Sequence, residues 1–164
     1  MHDKEKMKDK KIIVADDTHD GAQLAEVFRN YYSMSKVNVV KNLSDLESYI
    51  KDEEKRGNIG IIFLDLTMNP YGLEKNWREK ANKIGFSGWV FYDNVLKEDY
   101  KDLYDKTILY TAYGDRLYEI LSKNEIIQTR EEFDKLPMLH KTDEDLINKA
   151  ITIAEDLLKS QFNF

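Results

Sequence analysis

No cysteine occurs in this chain, which removes disulfides, thiolate metal sites and cysteine nucleophiles together and fits a reducing compartment. Long apolar runs are absent as well, since a stretch such as 61–64 is far too short to span a bilayer. The opening MHDKEKMKDKK is charged and lacks the apolar segment that a signal peptide needs. Positive charge is in deficit: 25 Lys and Arg stand against 31 Asp and Glu, and the resulting −6 repels phosphate backbones and anionic membranes. The histidines, His2, His19 and His140, fall at no metal-ligand spacing and read as surface or packing residues. These deficits point to a cytoplasmic protein that binds neither nucleic acid nor membrane.

What is present suffices for one ordinary core, with 164 residues that are 41% hydrophobic and 12% aromatic. A charged tail at 1–10 precedes a single domain at 11–164. Residues 12–15 are continuously apolar and β-branched, the pattern of a strand buried on both faces, and Asp16 and Asp17 end it. Leu24, Phe28 and Tyr31 then recur at helical spacing behind Thr18 and Asp20, either of which can cap the helix. A second strand is expected at 37–40, and the Ser44 to Glu47 spacing reads as a capping box for a helix with Leu43, Leu46 and Ile50 on one face. Its charged continuation, KDEEKR at 51–56, reads as a solvated helix end. Three more strands follow at 59–64, 107–110 and 137–140, delivering Asp65, Thr111 and Lys141. A last helix is marked by Leu146, Ala150, Ala154, Leu157 and Gln161 after the acidic start at 142–145.

Strands alternating with helices imply an α/β fold, a doubly wound five-stranded parallel sheet, for which we expect strand order 2-1-3-4-5. In that winding strands one and three are neighbours, and Asp16, Asp17, Asp65, Thr111 and Lys141 meet beyond the carboxyl ends of the strands. Three carboxylates crowded together repel one another unless a cation or protons compensate, and a hard dication such as Mg²⁺ suits an all-oxygen set that includes the Thr67 carbonyl. With Asp65 as nucleophile, an acyl phosphate forms while the metal and Lys141 neutralise the transferring group. Ala112 leaves room beside Thr111 for a phosphoryl group, and Tyr113 can lean across the site. DDTHDG also opens like a calcium loop, but the twelfth position counted from Asp16 is Val27 where glutamate is needed.

This ordered set, IIVADD, IIFLD, ILYTA and MLHK, resembles the receiver domain of two-component response regulators over roughly residues 11–160. The resemblance implies a flavodoxin-like receiver fold and a phosphoprotein that is a signalling switch, not an enzyme. It makes Asp65 the phosphoacceptor, gives Mg²⁺ to Asp16, Asp17, Asp65 and the Thr67 carbonyl, makes Thr111 the switch hydroxyl and pairs Lys141 with the phosphate. A histidine kinase or phosphotransfer protein would be the donor. Since no further domain follows the last helix, the expectation is a stand-alone receiver whose output passes through an unknown downstream protein.

The chain departs from the family in three places. Thr142 follows the lysine where a cis proline is usual, and Met138 stands where an aromatic switch residue is usual, leaving Tyr110, Tyr113 and Phe133 as candidate substitutes. The stretch from Asp65 to Thr111 is too long, and aligning Gly88 with the glycine that opens helix three places an insertion at about 69–86. The other placement puts helix three at Leu73, Trp77, Ala81 and Ile84. A smaller extension lies between Tyr118 and Pro137. The aromatics Tyr71, Trp77, Phe86, Trp89, Phe91, Tyr92, Tyr100 and Tyr104 concentrate in the lengthened region, as local packing or as a docking surface. Two rival functions remain. One is a phosphorylation-independent interaction module; the other is a haloacid-dehalogenase-type phosphohydrolase, suggested by FLDLT but opposed by the order of its acids, because those enzymes put the nucleophile first.

Overall fold

A computed structural model of the chain describes residues 10–32, 36–71 and 73–161. The charged tail expected at 1–10 lies outside the described residues except for Lys10, and so does His2. Five parallel strands, β1 (Lys11–Ala15), β2 (Val37–Val40), β3 (Ile59–Asp65), β4 (Thr107–Thr111) and β5 (Met138–His140), form one sheet in the order β2-β1-β3-β4-β5. This is the doubly wound order expected from the sequence. Every residue of β3, the central strand, is buried, because helices cover both faces of a parallel sheet.

The pleat sorts the strand residues between two cores. Ile12, Val14, Ile61, Phe63, Ile108, Tyr110 and Leu139 pack with α1 (His19–Tyr31) and with the C-terminal helix, while Ile13, Ala15, Ile62, Leu64 and Leu109 pack on the opposite side. That opposite face is covered by α2 (Leu43–Lys51), by α4 (Lys75–Ile84), by the helical run α5 at 87–99, by the turn α6 (Lys101–Tyr104) and by α7 (Gly114–Lys123). A single helical turn, α3 (Glu53–Gly57), follows α2, and α8 (Arg130–Asp134) precedes β5. The C-terminal helix α9 (Leu146–Ser160) presents Ala150, Ala154 and Leu158 to the interior, and the two small alanines let it approach the sheet closely. Among the described residues no helix is long and apolar enough to cross a membrane.

Several local expectations are corrected. The cap of α2 is Asn42, whose side chain accepts from Asp45 N at 2.7 Å, so Ser44 lies inside the helix and the capping box does not form. KDEEKR is no simple helix end, because Asp52 breaks α2 and caps α3 by accepting from Lys55 N. Tyr31 turns outward and bonds Glu155 of α9, leaving Gly21, Leu24, Ala25 and Phe28 as the buried face of α1. Thr18 stands at the N-cap position of α1 without capping it; its hydroxyl serves Asp16 instead. Both Asp65 and Thr111 lie within their strands, one residue beyond the expected ends, and β5 begins at Met138, after Pro137.

Among the described residues three helices lie between β3 and β4: α4, α5 and the short α6. α4 ends at Gly85, whose φ of +84° is the left-handed stop that favours glycine. α5 then opens with Ser87–Val90, widens into a π-helical stretch at Phe91–Leu96 and closes with Lys97–Asp99. Most of the aromatics in this region are packed: Phe86, Trp89, Phe91 and Tyr92 are buried and Tyr92 stacks on Tyr104 with centroids 4.6 Å apart, but Tyr71 is exposed.

Candidate functional site

Strand register sets the site. Ala15 pairs with Leu64, so the next residues along, Asp16 and Asp65, emerge side by side at the carboxyl edge. Carboxylate oxygens of Asp16, Asp17 and Asp65 lie within 4.8 Å of one another, with Asp16 and Asp65 buried and Asp17 exposed. Asp16 Oδ1 accepts from the backbone N and the hydroxyl of Thr18, both at 2.7 Å, which fixes its rotamer. Asp65 Oδ1 likewise accepts from Thr67 N and Oγ1, both at 3.2 Å.

Lys141 closes the arrangement from β5. Its backbone N donates to Thr111 O at 2.8 Å, and its side chain runs inward until only 8% is exposed. Nζ lies 2.7 Å from Asp16 Oδ2, 3.5 Å from Asp65 Oδ2 and 3.7 Å from Asp20 Oδ2, and 4.9 Å from the centre of the Tyr110 ring. One ammonium thus serves three carboxylates. Burial, followed by the neighbouring Asp16 charge, pushes the Asp65 carboxyl up to about 6 from 3.8, although Lys141 and the Thr67 bonds pull it down. Burial lowers the pKa of Lys141, but the bond to Asp16 and the fields of Asp65, Asp16 and Asp20 outweigh it and leave the group above its ordinary value.

Thr111 is fully buried at the end of β4, and its Oγ1 accepts from Tyr113 N at 2.9 Å. Ala112 and Tyr113 are exposed at the rim, the latter 51% accessible. Met138 is half-buried against the core on the α7 side, and His140 is exposed with its ring against the position where Gly114 lacks a Cβ. Of the candidate replacements for an aromatic switch, Tyr110 lies beneath Lys141, Tyr113 stands at the rim and Phe133 packs edge-on against Tyr118. Among the described residues no peptide bond is cis, the step from Lys141 to Thr142 included.

The fold is similar to that of a known structure. The crystal structure of the N-terminal signal receiver domain of a two-component system response regulator from Bacteroides fragilis is similar to this chain with a TM-score of 0.55 and 17% identity, over 91% of this chain and 96% of that one. The fold is a receiver fold. No family model matches the sequence, and none of the curated proteins does.

Within the receiver fold, three site features gain roles from the assembled structure; of these the sequence marks Gly88 as the glycine that opens helix three and Asp20 as a cap. Gly21, in the first turn of α1, has no room for a Cβ because Asp16 occupies that space, so the glycine lets the helix close onto the acid. Gly88 is equally constrained, since a Cβ there would overlap the Asp65 carbonyl; its N donates to Leu66 O at 2.8 Å. Asp20 was expected only as a cap and instead reaches Lys141. A glycine four residues past the acid pair was the one available hint of the first.

The three carboxylates fit a hard dication. They supply only oxygen donors, they crowd more negative charge than one lysine offsets, and the exposed Asp17 leaves a side open to water.

Proposed function

We propose that the protein is a phosphorylatable receiver that accepts a phosphoryl group on Asp65 and passes the signal to a partner protein. The observation that carries this reading is the meeting of Asp16, Asp17, Asp65 and Lys141 at the carboxyl edge of the receiver sheet. A pKa near 6 leaves Asp65 ionised at neutral pH, so its oxygen is available to attack phosphorus. The donor is a histidine kinase or phosphotransfer protein: an Asp65 oxygen bonds to phosphorus, the phosphorus–nitrogen bond to the donor histidine breaks, and an acyl phosphate results. Asp16, Asp17, Asp65 and the Thr67 carbonyl would hold Mg²⁺, which when bound supplies positive charge to the phosphoryl oxygens. Lys141, already 3.5 Å from Asp65, pairs with the new phosphate. Thr111 can then turn its hydroxyl from the Tyr113 amide toward the phosphoryl group, beside the small Ala112.

In this reading residues 69–86 are an insertion that includes α4, and α5, opening at Ser87 against the end of β3, is the ordinary crossover helix. The direct test is intact mass after incubation with acetyl phosphate and Mg²⁺. We expect one hydroxylamine-labile phosphoryl group on wild type and none on Asp65→Asn; no adduct on correctly folded wild type would overturn the reading. A phosphorylation-independent interaction module is the second reading, favoured by the half-buried Met138 in place of an aromatic switch. Under it, Asp65→Asn retains full partner binding and signalling.

A further inference from the structure

The protein carries a net charge of −6, yet α4 holds Lys75, Arg78, Lys80 and Lys83 against the single acid Glu79. Lys80 is turned inward, its Nζ donating to the buried Asn94 Oδ1 at 3.1 Å. The other three cations are exposed, and among the described residues none of their side chains has an ion-pair or hydrogen-bond partner. Elsewhere such groups are commonly tied in i,i+4 pairs, as in Lys51 with Glu47 or Lys135 with Glu131. Just before α4, Tyr71 is 72% exposed although its backbone is held, with N donating to Asn69 Oδ1 at 2.9 Å and O accepting from Ser44 N at 3.0 Å. An outward aromatic with a held backbone, four residues before a helix that carries unpaired cations, has the composition of a protein-binding surface for an anionic partner.

A chain of hydrogen bonds also leads from this face to the backbone that follows Asp65. Ser87 donates to the Met68 carbonyl, and Gly88 N bonds Leu66 O at a position where an added Cβ would overlap the Asp65 carbonyl. Further along α5, Asn94 Nδ2 donates to Val90 O at 2.9 Å, and Asn94 Oδ1 receives Lys80 of α4. The link runs through the π-helical stretch Phe91–Leu96, a wide register that can revert locally to α geometry.

We propose that α4 and Tyr71 form a docking face for an acidic surface of a partner protein, and that the state of Asp65 adjusts this face through Ser87, Asn94 and Lys80. The docking half stands on the face alone; the coupling half rests on the receiver reading above.

The test is binding of a fluorescein-labelled, glutamate-rich peptide to the full chain by anisotropy at physiological ionic strength, with intact mass reporting Asp65 occupancy. Lys75→Glu combined with Arg78→Glu is expected to weaken binding by about tenfold, and Tyr71→Ala by several-fold, while Lys123→Glu leaves it unchanged. Acetyl phosphate with Mg²⁺ is expected to shift wild-type affinity several-fold, and Lys80→Met to keep labelling but lose the shift. Absent binding, or equal binding by the charge-reversed variant, overturns the docking face whatever Asp65 does. Self-association abolished by the same reversal makes the occupant a second copy and overturns the acidic partner. Binding without labelling of Asp65 keeps the face and removes the receiver reading; labelling without any change in affinity overturns the coupling.

Discussion

Asp65 is held in conflict by its surroundings. Its folded pKa of about 6 exceeds the ordinary 3.8, so between those values the folded state binds the proton that the unfolded state releases. Stability of the metal-free protein therefore falls as pH rises across that window, by up to about 3 kcal/mol, and is flat with respect to this group above it. Asp65→Asn abolishes that part of the slope, and we expect the variant to be the more stable protein at neutral pH, as measured by urea unfolding on both sides of the window. Equal pH slopes for the two proteins would contradict the assigned burial cost. The same proton competes with a metal: the Mg²⁺ concentration needed for half-saturation should rise as pH drops below about 6, read by isothermal titration. Gly21 is decisive at this scale too. Gly21→Ala must push α1 off Asp16, and we expect weakened Mg²⁺ binding together with a lowered melting temperature.

At the scale of the element, a helix start shows how tertiary context selects among local options. Residues 42–47 offer both Asn42 and Ser44 as caps, and the chain uses Asn42, with Asn42 Nδ2 also bonding Asp45 Oδ2 at 2.9 Å. The backbone N of Ser44 is engaged by Tyr71 O, so the start of α2 is anchored to the loop before α4. Asn42→Ala is expected to cost about 1 kcal/mol in denaturant unfolding, and Ser44→Ala only a few tenths. Comparable losses for the two would restore the capping box. In α5, Gly88 and the π stretch act together: the glycine seats the helix on the end of β3, and the wider turns follow directly after it.

Across the whole molecule, one sheet joins two cores, so neither face can open without exposing the back of the other. Phe63 packs on Phe28 with centroids 5.0 Å apart on the α1 and α9 side, while Ile62 and Leu64 of the same strand face α2 and α5. Phe63→Ala is expected to cost about 3–5 kcal/mol and to keep a single transition by circular dichroism and fluorescence alike. Two separated transitions would mean that the faces melt independently.

The parallel order, the two-sided burial and the strand-end positions of Asp16, Asp65, Thr111 and Lys141 were legible in the residues alone. A strand buried on both faces writes itself as a continuous apolar run, and the polar residue that ends it marks the carboxyl edge of the sheet. The approach of Lys141 to Asp16, more than a hundred positions away, was legible only as chain order. The distances to Asp16, Asp20 and Asp65 came with folding, because they depend on how the strands register and how far α1 closes. The contacts that require glycine at 21 and 88 could not be read locally: each exists because another part of the chain passes where a Cβ would stand, and that neighbour is absent until the sheet assembles. The same holds for the link from Lys80 to Asn94, and for the exposure of Tyr71 among aromatics that otherwise pack. Periodicity records which face of an element is buried, whereas only the assembled neighbours determine which side chains are left free to act.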